Sequence, residues 1–137
     1  MDYRIEAITL PVSDVDRARD FYVQAGWNLD LDTVLGEGFR VVQLTPPGSG
    51  CSITFGTGMP QSEPGSYVNT YLVVSDIEAA HADLEERGID ISDLYHFSDR
   101  GQTPGVDPNR GDYGTYATFA DPDGNVWLLQ EVPSRAG

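Results

Sequence analysis

The side chains of this chain that could do chemistry are few and scattered. There are two histidines, His81 and His96, one cysteine, Cys51, and 22 acids against eight bases, all eight of them arginine. A structural or catalytic metal needs three or four His, Cys, Asp or Glu groups that converge. The run Asp121, Asp123 and Asn125 in "ADPDGNVWLLQE", residues 120 to 131, could suggest calcium. Calcium would demand further ligands and a bidentate glutamate, which this stretch lacks. It reads instead as a turn whose aspartates bond their own backbone. A single cysteine excludes an internal disulfide and any multi-cysteine metal site. Cys51, between a Gly/Pro turn and the apolar SITF, reads as a buried inert thiol, with a reactive thiol as the alternative. His81 falls within a helical stretch and suits its surface. His96 opens a loop, either as an ordinary loop histidine or as a hydrogen-bonding or acid–base group entering a cavity. No Gly-rich phosphate loop, Cys-x-x-Cys pair or Gly-x-Ser-x-Gly elbow is present.

The elements that must position these residues come in two similar copies. "VSDVDRARDFYVQAGWNL" (12–29) and "VSDIEAAHADLEERGIDI" (74–91) align without gaps at an offset of 62. In each, a β-rich stretch ends in Ser-Asp, whose side chains can cap the first turn of a helix. Apolar residues at Val15, Ala18, Phe21 and Tyr22, or at Ile77, Ala80 and Leu84, give each helix one buried stripe. Gly26 and Gly88 are suited to end them. Strand-like segments follow: WNLDLDTV, GFRVVQLTP and CSITFGT in the first copy, then IDISDLY, YGTYATFAD and NVWLLQEV in the second. The expected fold is α+β, two tandem βαβββ modules at about 3–58 and 67–133 within one domain spanning 1–137, joined by the linker 58–66. Residues 97–112, polar and rich in Gly and Pro, read either as a mobile flap over a site or as a plain surface insertion.

A net charge of −14 repels phosphates and anionic lipid, so nucleic acid and membrane are not expected partners. It would attract a cationic small molecule; keeping the protein soluble is the other use of such charge. No apolar run approaches the ~20 residues that span a bilayer. The N-terminus lacks the basic and apolar pattern of a signal peptide, so the reading is cytoplasmic.

Tandem βαβββ copies carrying "LPVSDVDRARDFY" early and "FADPDGNVWLLQE" late resemble the vicinal-oxygen-chelate superfamily, the group of glyoxalase I, extradiol dioxygenases and bleomycin-resistance proteins. The resemblance implies curled mixed sheets around a small-molecule cavity. In the enzymes it also implies a divalent metal held by His, Gln and Glu on four strands. The positions it assigns to those ligands are here Ala7, Ser52, Asn69 and Leu128. These four side chains cannot make a transition-metal site, so neither metal nor other cofactor is expected.

Strand alternation then gives the residues expected to line a ligand cavity: Ala7, Thr9, Ser52, Thr54, Asn69, Tyr71, Leu128 and Gln130. Phe39, Tyr113, Tyr116 and Phe119 lie on neighbouring strands with less certain parity, and His96 is the one acid–base candidate. Two functions fit. One is a metal-independent binding protein of the bleomycin-resistance type, which sequesters an aromatic or cationic natural product and contributes to antibiotic resistance. The other is a lyase, isomerase or cyclase of the same fold, with Tyr71, Tyr113 or His96 as its acid–base group. The resemblance also implies a homodimer, because each curled sheet needs a partner module from the same chain or a second one.

Overall fold

The structure is a computed structural model and describes residues 1–135. The chain forms two compact units. The first is Met1–Tyr67 together with Asp121–Asn125, and the second is Val68–Ala120 together with the residues from Val126 onward.

The first unit runs β1 (Ala7–Thr9), α1 (Val15–Gln24), β2 (Asn28–Gly36), β3 (Phe39–Thr45) and β4 (Ser52–Thr57). Its mixed sheet has the order β1-β4-β3-β2, parallel between β1 and β4 and antiparallel elsewhere. The second unit runs β5 (Thr70–Val74), α2 (Ile77–Glu86), β6 (Tyr95–Ser98), β7 (Gly101–Pro104), β8 (Thr115–Ala120) and β9 (Val126–Glu131). Its order is β5-β9-β8-β6-β7, again with one parallel pair, β5 with β9. The plan is the expected α+β βαβββ repeat, with one strand added to the second copy.

Both helices start and stop as their sequences dictate. Asp14 accepts the N–H of Arg17 at 3.0 Å and Asp76 that of Ala79 at 3.1 Å, each satisfying an otherwise unpaired first-turn donor. Gly26 (φ 94°) and Gly88 (φ 83°) supply the left-handed residue after each helix. There Gly26 N–H bonds Val23 O and Trp27 N–H bonds Tyr22 O, while Gly88 and Ile89 bond Glu85 and Leu84 in the same way. This pair of bonds is the Schellman motif. Its customary apolar contact is present in the first copy as the Tyr22–Trp27 ring pair, with centroids 4.7 Å apart. Each helix covers one face of its own sheet. Ala18 and Tyr22 are buried, as are Leu10, Val42, Leu44, Ile53 and Phe55 of the first unit; Ile77 and Leu84 are buried with Ala117, Phe119, Trp127 and Leu129 of the second.

The Asp-Pro-Asp-Gly turn is structural. Asp121, 5% exposed, accepts from the Tyr22 hydroxyl at 2.9 Å, the Asn125 amide at 2.9 Å and the N–H groups of Asp123 and Asn125. Asn125 donates in turn to Pro11 O at 2.8 Å. A buried carboxylate is tolerable only when its oxygens are satisfied in this way.

Two expectations for the second copy are corrected. IDISDLY forms no continuous strand: Ile91 makes one isolated bridge with Phe119, and β6 begins only at Tyr95. The stretch 97–112 is not a single loop either. Residues 95–104 fold as the β6–β7 hairpin, turned at Gly101 with φ 87°. The remaining loop is tied down. Asp107 accepts the N–H groups of Asn109 and Gly111, and Arg110 reaches Glu131 and Glu78.

Candidate ligand-binding site

In each unit the sheet face turned away from its helix is the one available to a ligand. On the first unit, alternation puts Phe39, Val41, Gln43 and Thr45 of β3 on this face, because Val42 and Leu44 between them are buried. Thr9 pairs with Thr54, their hydroxyl oxygens 3.3 Å apart, and Ala7 pairs with Ser52. Ser52 is nearly covered (6% exposed) and lies 2.6 Å from the Thr45 hydroxyl. Thr45 donates to Asp30, which also accepts from Asn28 at 2.7 Å and Gln43 at 3.3 Å. The Thr45 hydroxyl, then the Asn28 amide, hold the Asp30 carboxyl below the usual range, so this side chain stays ionised. Around Ser52, Thr45 and Asp30 the face is polar and hydrogen-bonded to itself, while Phe39 and Val41 give it an apolar part.

The metal implied by the resemblance finds no site here. Strand register refines the positions: Thr9 corresponds to Tyr71 in the repeat, and Tyr71 pairs with Leu128, so the first-copy match to Leu128 is Thr54 rather than Ser52. Neither a threonine and a leucine nor an alanine and an asparagine (Ala7, Asn69) offer the donors of a Zn, Fe, Ni or Mn site. Among the described residues no three His, Cys, Asp or Glu side chains are gathered as a metal would require.

The second unit's face differs. Tyr71 pairs with Leu128, Leu128 with Thr118, Gln130 with Tyr116, and Tyr116 with Tyr95, so all of these share one side of the sheet. Tyr95 and Tyr116 stack at 5.7 Å with their planes 16° apart. Phe97 sets its edge against both, at 5.9 and 5.5 Å. Phe97 and Tyr71 are left 60% and 52% exposed. Gln130 donates to the Tyr116 hydroxyl at 3.1 Å. Burial, then the nearby phenols Tyr116 and Tyr71, push the Tyr95 hydroxyl upward, so it is a neutral phenol at ordinary pH. Beside this cluster lies an open depression of ≈ 500 Å³, lined by Ser92, Asp93, Leu94, Tyr95, Gln102, Pro104 and Thr118. That is a volume suited to a drug-sized molecule.

Four candidates from the sequence are not among the residues that share this face within the strands. His96 pairs with the buried Thr115, so it points to the helix side, where its Nδ1 lies 2.8 Å from Gly105 O. Phe119 is buried on that same side. Tyr113 sits outside the strands at φ 66°, with Arg135 5.9 Å from its ring centroid. Asn69 immediately precedes β5 and is exposed. Conversely, Tyr95, Phe97, Gln102 and Thr118 lie on this face or line the depression and are candidates that sequence reasoning missed. The signal for the first two was the alternation Tyr-His-Phe before a Ser-Asp-Arg-Gly turn.

Two mixed sheets, the second with an aromatic face, suit a small-molecule-binding βαβββ protein. The chain belongs to the Glyoxalase/Bleomycin resistance protein/Dioxygenase superfamily, which it matches over residues 4–129. It is similar to the crystal structure of TnmS3, an antibiotic binding protein from Streptomyces sp. CB03234, with 32% identity over 96% of this chain and 97% of that one and a TM-score of 0.72. A glyoxalase/bleomycin resistance protein from the same organism matches at 32% identity, 93% and 100% coverage and a TM-score of 0.69. A superfamily member from Sphaerobacter thermophilus DSM 20745 matches at 29% identity, 95% and 98% coverage and a TM-score of 0.70. A comparison with curated proteins gave no match. No helix among the described residues is long and apolar enough to cross a membrane.

Proposed function

We propose that this protein binds an aromatic small molecule without a metal and sequesters it unchanged, as a homodimer in the cytoplasm and in an antibiotic-resistance role. The observation that carries the reading is the Tyr95–Tyr116–Phe97 cluster beside an open depression. Three packed rings with an exposed edge form a rigid apolar platform, and rigid aromatic side chains lose little entropy when a flat ligand settles on them. The similarity to an antibiotic binding protein supports the same reading. A lyase, isomerase or cyclase would need an acid and a base facing one cavity. Of the acid–base candidates, Tyr71 alone shares the aromatic face; His96 is turned to the helix side and engaged by Gly105, and Tyr113 lies outside the strands.

The test is a thermal-shift screen against planar aromatic antibiotics, followed by recovery of each hit and mass analysis. Sequestration expects a raised melting temperature and the compound returned intact. A hit returned as an altered product would overturn it. Sedimentation at micromolar concentration should give twice the 14.9 kDa of one chain.

A further inference from the structure

On the sheet of the first unit, the face turned away from α1 carries a single charged side chain within its strands, Asp30. The backbone bends to put it there. Leu29 pairs with Leu44 on the helix side, and Leu31 pairs with Gln43 on the open side, so Asp30 between them is the extra residue of a β-bulge. Bulges re-aim side chains in this way. Strict alternation would have sent Leu31 to the helix side; the bulge brings it to the open face with Asp30. The Asp30 carboxylate accepts N–H from Asn28 at 2.7 Å and from Gln43 at 3.3 Å, and the hydroxyl of Thr45. Among the described residues no arginine is paired with it: Arg19 and Arg40 meet Asp32 on the other side of β2.

The direction of the protons follows. Thr45 has one hydroxyl proton and gives it to Asp30, so in its 2.6 Å contact with Ser52 the serine donates. Both hydroxyls have then turned their protons toward the carboxylate and can only accept. The two amides turn their NH₂ groups to Asp30 and their oxygens away from it. Of the roughly four lone-pair positions of a carboxylate, three are filled by neutral donors and one is left. A ligand anion is repelled here, whereas a cationic N–H donor meets an ionised acceptor already held in place. Apolar surface adjoins it. Leu31 is 37% exposed, and Val41 lies one register step, roughly 7 Å, along β3 from Gln43.

From this arrangement we propose that the open face of the first unit is a second binding site, which takes the primary ammonium group of an amphiphilic amine at Asp30 and its alkyl part along Leu31 and Val41. The site belongs to the first unit alone and does not depend on the aromatic face.

The probes are n-butylammonium, n-butanol, which has the same chain and no charge, and tetramethylammonium, which has the charge and no N–H. Backbone-amide NMR titration of the full chain reads where each one binds. Butylammonium should shift the signals of Asn28 to Leu31 and of Gln43 to Thr45 and saturate in the millimolar range. Tetramethylammonium should bind about fivefold more weakly, for want of a charge-assisted hydrogen bond, and butanol should leave these signals unmoved. Asp30→Asn should weaken butylammonium about tenfold. Glu86→Gln, which removes the same charge from the exposed end of α2, should weaken it less than about twofold. Thr45→Val keeps the charge and removes the donor that does most to hold the Asp30 carboxyl low. In that variant the carboxyl, followed by its side-chain NMR signal, should titrate higher, and butylammonium should bind roughly threefold more weakly. This arm carries the test if Asp30→Asn does not fold. Acridone, a neutral planar tricycle suited to the aromatic face of the second unit, is the control, and its binding should change less than about twofold in either first-unit variant. Equal shifts from butylammonium and tetramethylammonium, no shifts around Asp30, or equal losses in Asp30→Asn and Glu86→Gln would each overturn the second site and leave the aromatic-binding function standing. A loss of acridone binding in Asp30→Asn as large as that of butylammonium would make Asp30 a structural residue, and overturns the site as well.

Discussion

At matching register positions the second sheet carries the larger side chains. Thr9 of the first sheet corresponds to Tyr71 of the second, Thr54 to Leu128, Val41 to Tyr116 and Gly56 to Gln130. The helix-facing sides of both sheets are closed and mainly apolar, with His96, Thr115 and Glu131 as polar members of the second; their caps and Schellman ends are alike. The faces turned away from the helices diverge most, the first into a hydrogen-bonded set of hydroxyls and Asp30 beside Val41 and Phe39, the second into stacked rings. The repeated backbone is thus held by its helix side, where packing density leaves little freedom. Side chains on the other face are free to specialise, because changing them does not open a cavity in the core.

The largest expected effect breaks this contrast at its centre. Tyr95→Ala removes the ring that both stacks on Tyr116 and lines the depression, and acridone binding should fall by about thirtyfold or more, as for a central aromatic anchor. Thr9→Ala on the first sheet deletes only a 3.3 Å contact between two hydroxyls and should change binding by less than about threefold. Equal losses for the two variants would show that the aromatic face is not the seat of binding.

The second contrast sets two arginines against each other. Arg40 pairs with Asp32 and Asp16 on the surface of the first unit. Arg110 of the second unit holds Glu131, 1% exposed, with contacts of 2.7 and 3.1 Å. Surface pairs contribute little, whereas removing the partner of a buried carboxylate strands a charge. Arg110→Ala should therefore lower the melting temperature by roughly 8 °C and Arg40→Ala by no more than about 3 °C.

The pH dependence should follow the same division. Arg110, aided by the Ile77 N–H, holds the Glu131 carboxyl below its ordinary 4.5 despite burial. A depressed carboxylate contributes stability that is present above its unfolded value and lost as pH falls through the lower folded one. Wild-type melting temperature should accordingly decline below about pH 4.5. In Arg110→Ala burial is left to raise the Glu131 carboxyl, so this contribution changes sign and the decline should flatten. Parallel acid profiles for the two proteins would contradict the assignment.

Much of this architecture was legible before any coordinates. The Ser-Asp pairs, Gly26 and Gly88 marked both helices because capping and left-handed residues are local chemistry. Alternation along VWLLQE assigned Val126, Leu128 and Gln130 to one face and Trp127, Leu129 and Glu131 to the other, as found. What escaped was the aromatic platform. Tyr95 and Phe97 lie on a four-residue strand that pairs with Gly-Gln-Thr-Pro, a partner with no apolar alternation, ended by an edge proline. A hairpin of that kind carries only the brief alternation Tyr-His-Phe, too short to fix its face without the cross-strand register. His96 went astray for the same reason: one position in a period-two strand decides between cavity and core.

The smallest expected effect concerns the acidity that both halves share unequally. Residues 1–58 carry 8 acids and 4 arginines, net −4, while residues 67–137 carry 13 acids and 4 arginines, net −9. The stronger negative field therefore belongs to the part of the chain that holds the aromatic face. Yet among the residues lining the depression only the exposed Asp93 is charged, and field from the other acids reaches a ligand through solvent that salt screens over about 8 to 10 Å. A cationic tricycle such as 9-aminoacridine should thus gain a few-fold in affinity at low salt and lose it between roughly 50 and 300 mM, while neutral acridone should stay within about 1.5-fold across the same range. Calorimetry of both probes across that series, on the wild type and on Asp93→Asn, separates the diffuse field from the single carboxylate in the lining. If Asp93→Asn removes all of the salt response, the charge acts locally at the depression. If it removes only part, the net −9 acts as a field over the whole second half. A salt response as steep for acridone as for 9-aminoacridine would mean that salt acts on the protein rather than on ligand charge, and the electrostatic contrast between the halves would have no part in recognition.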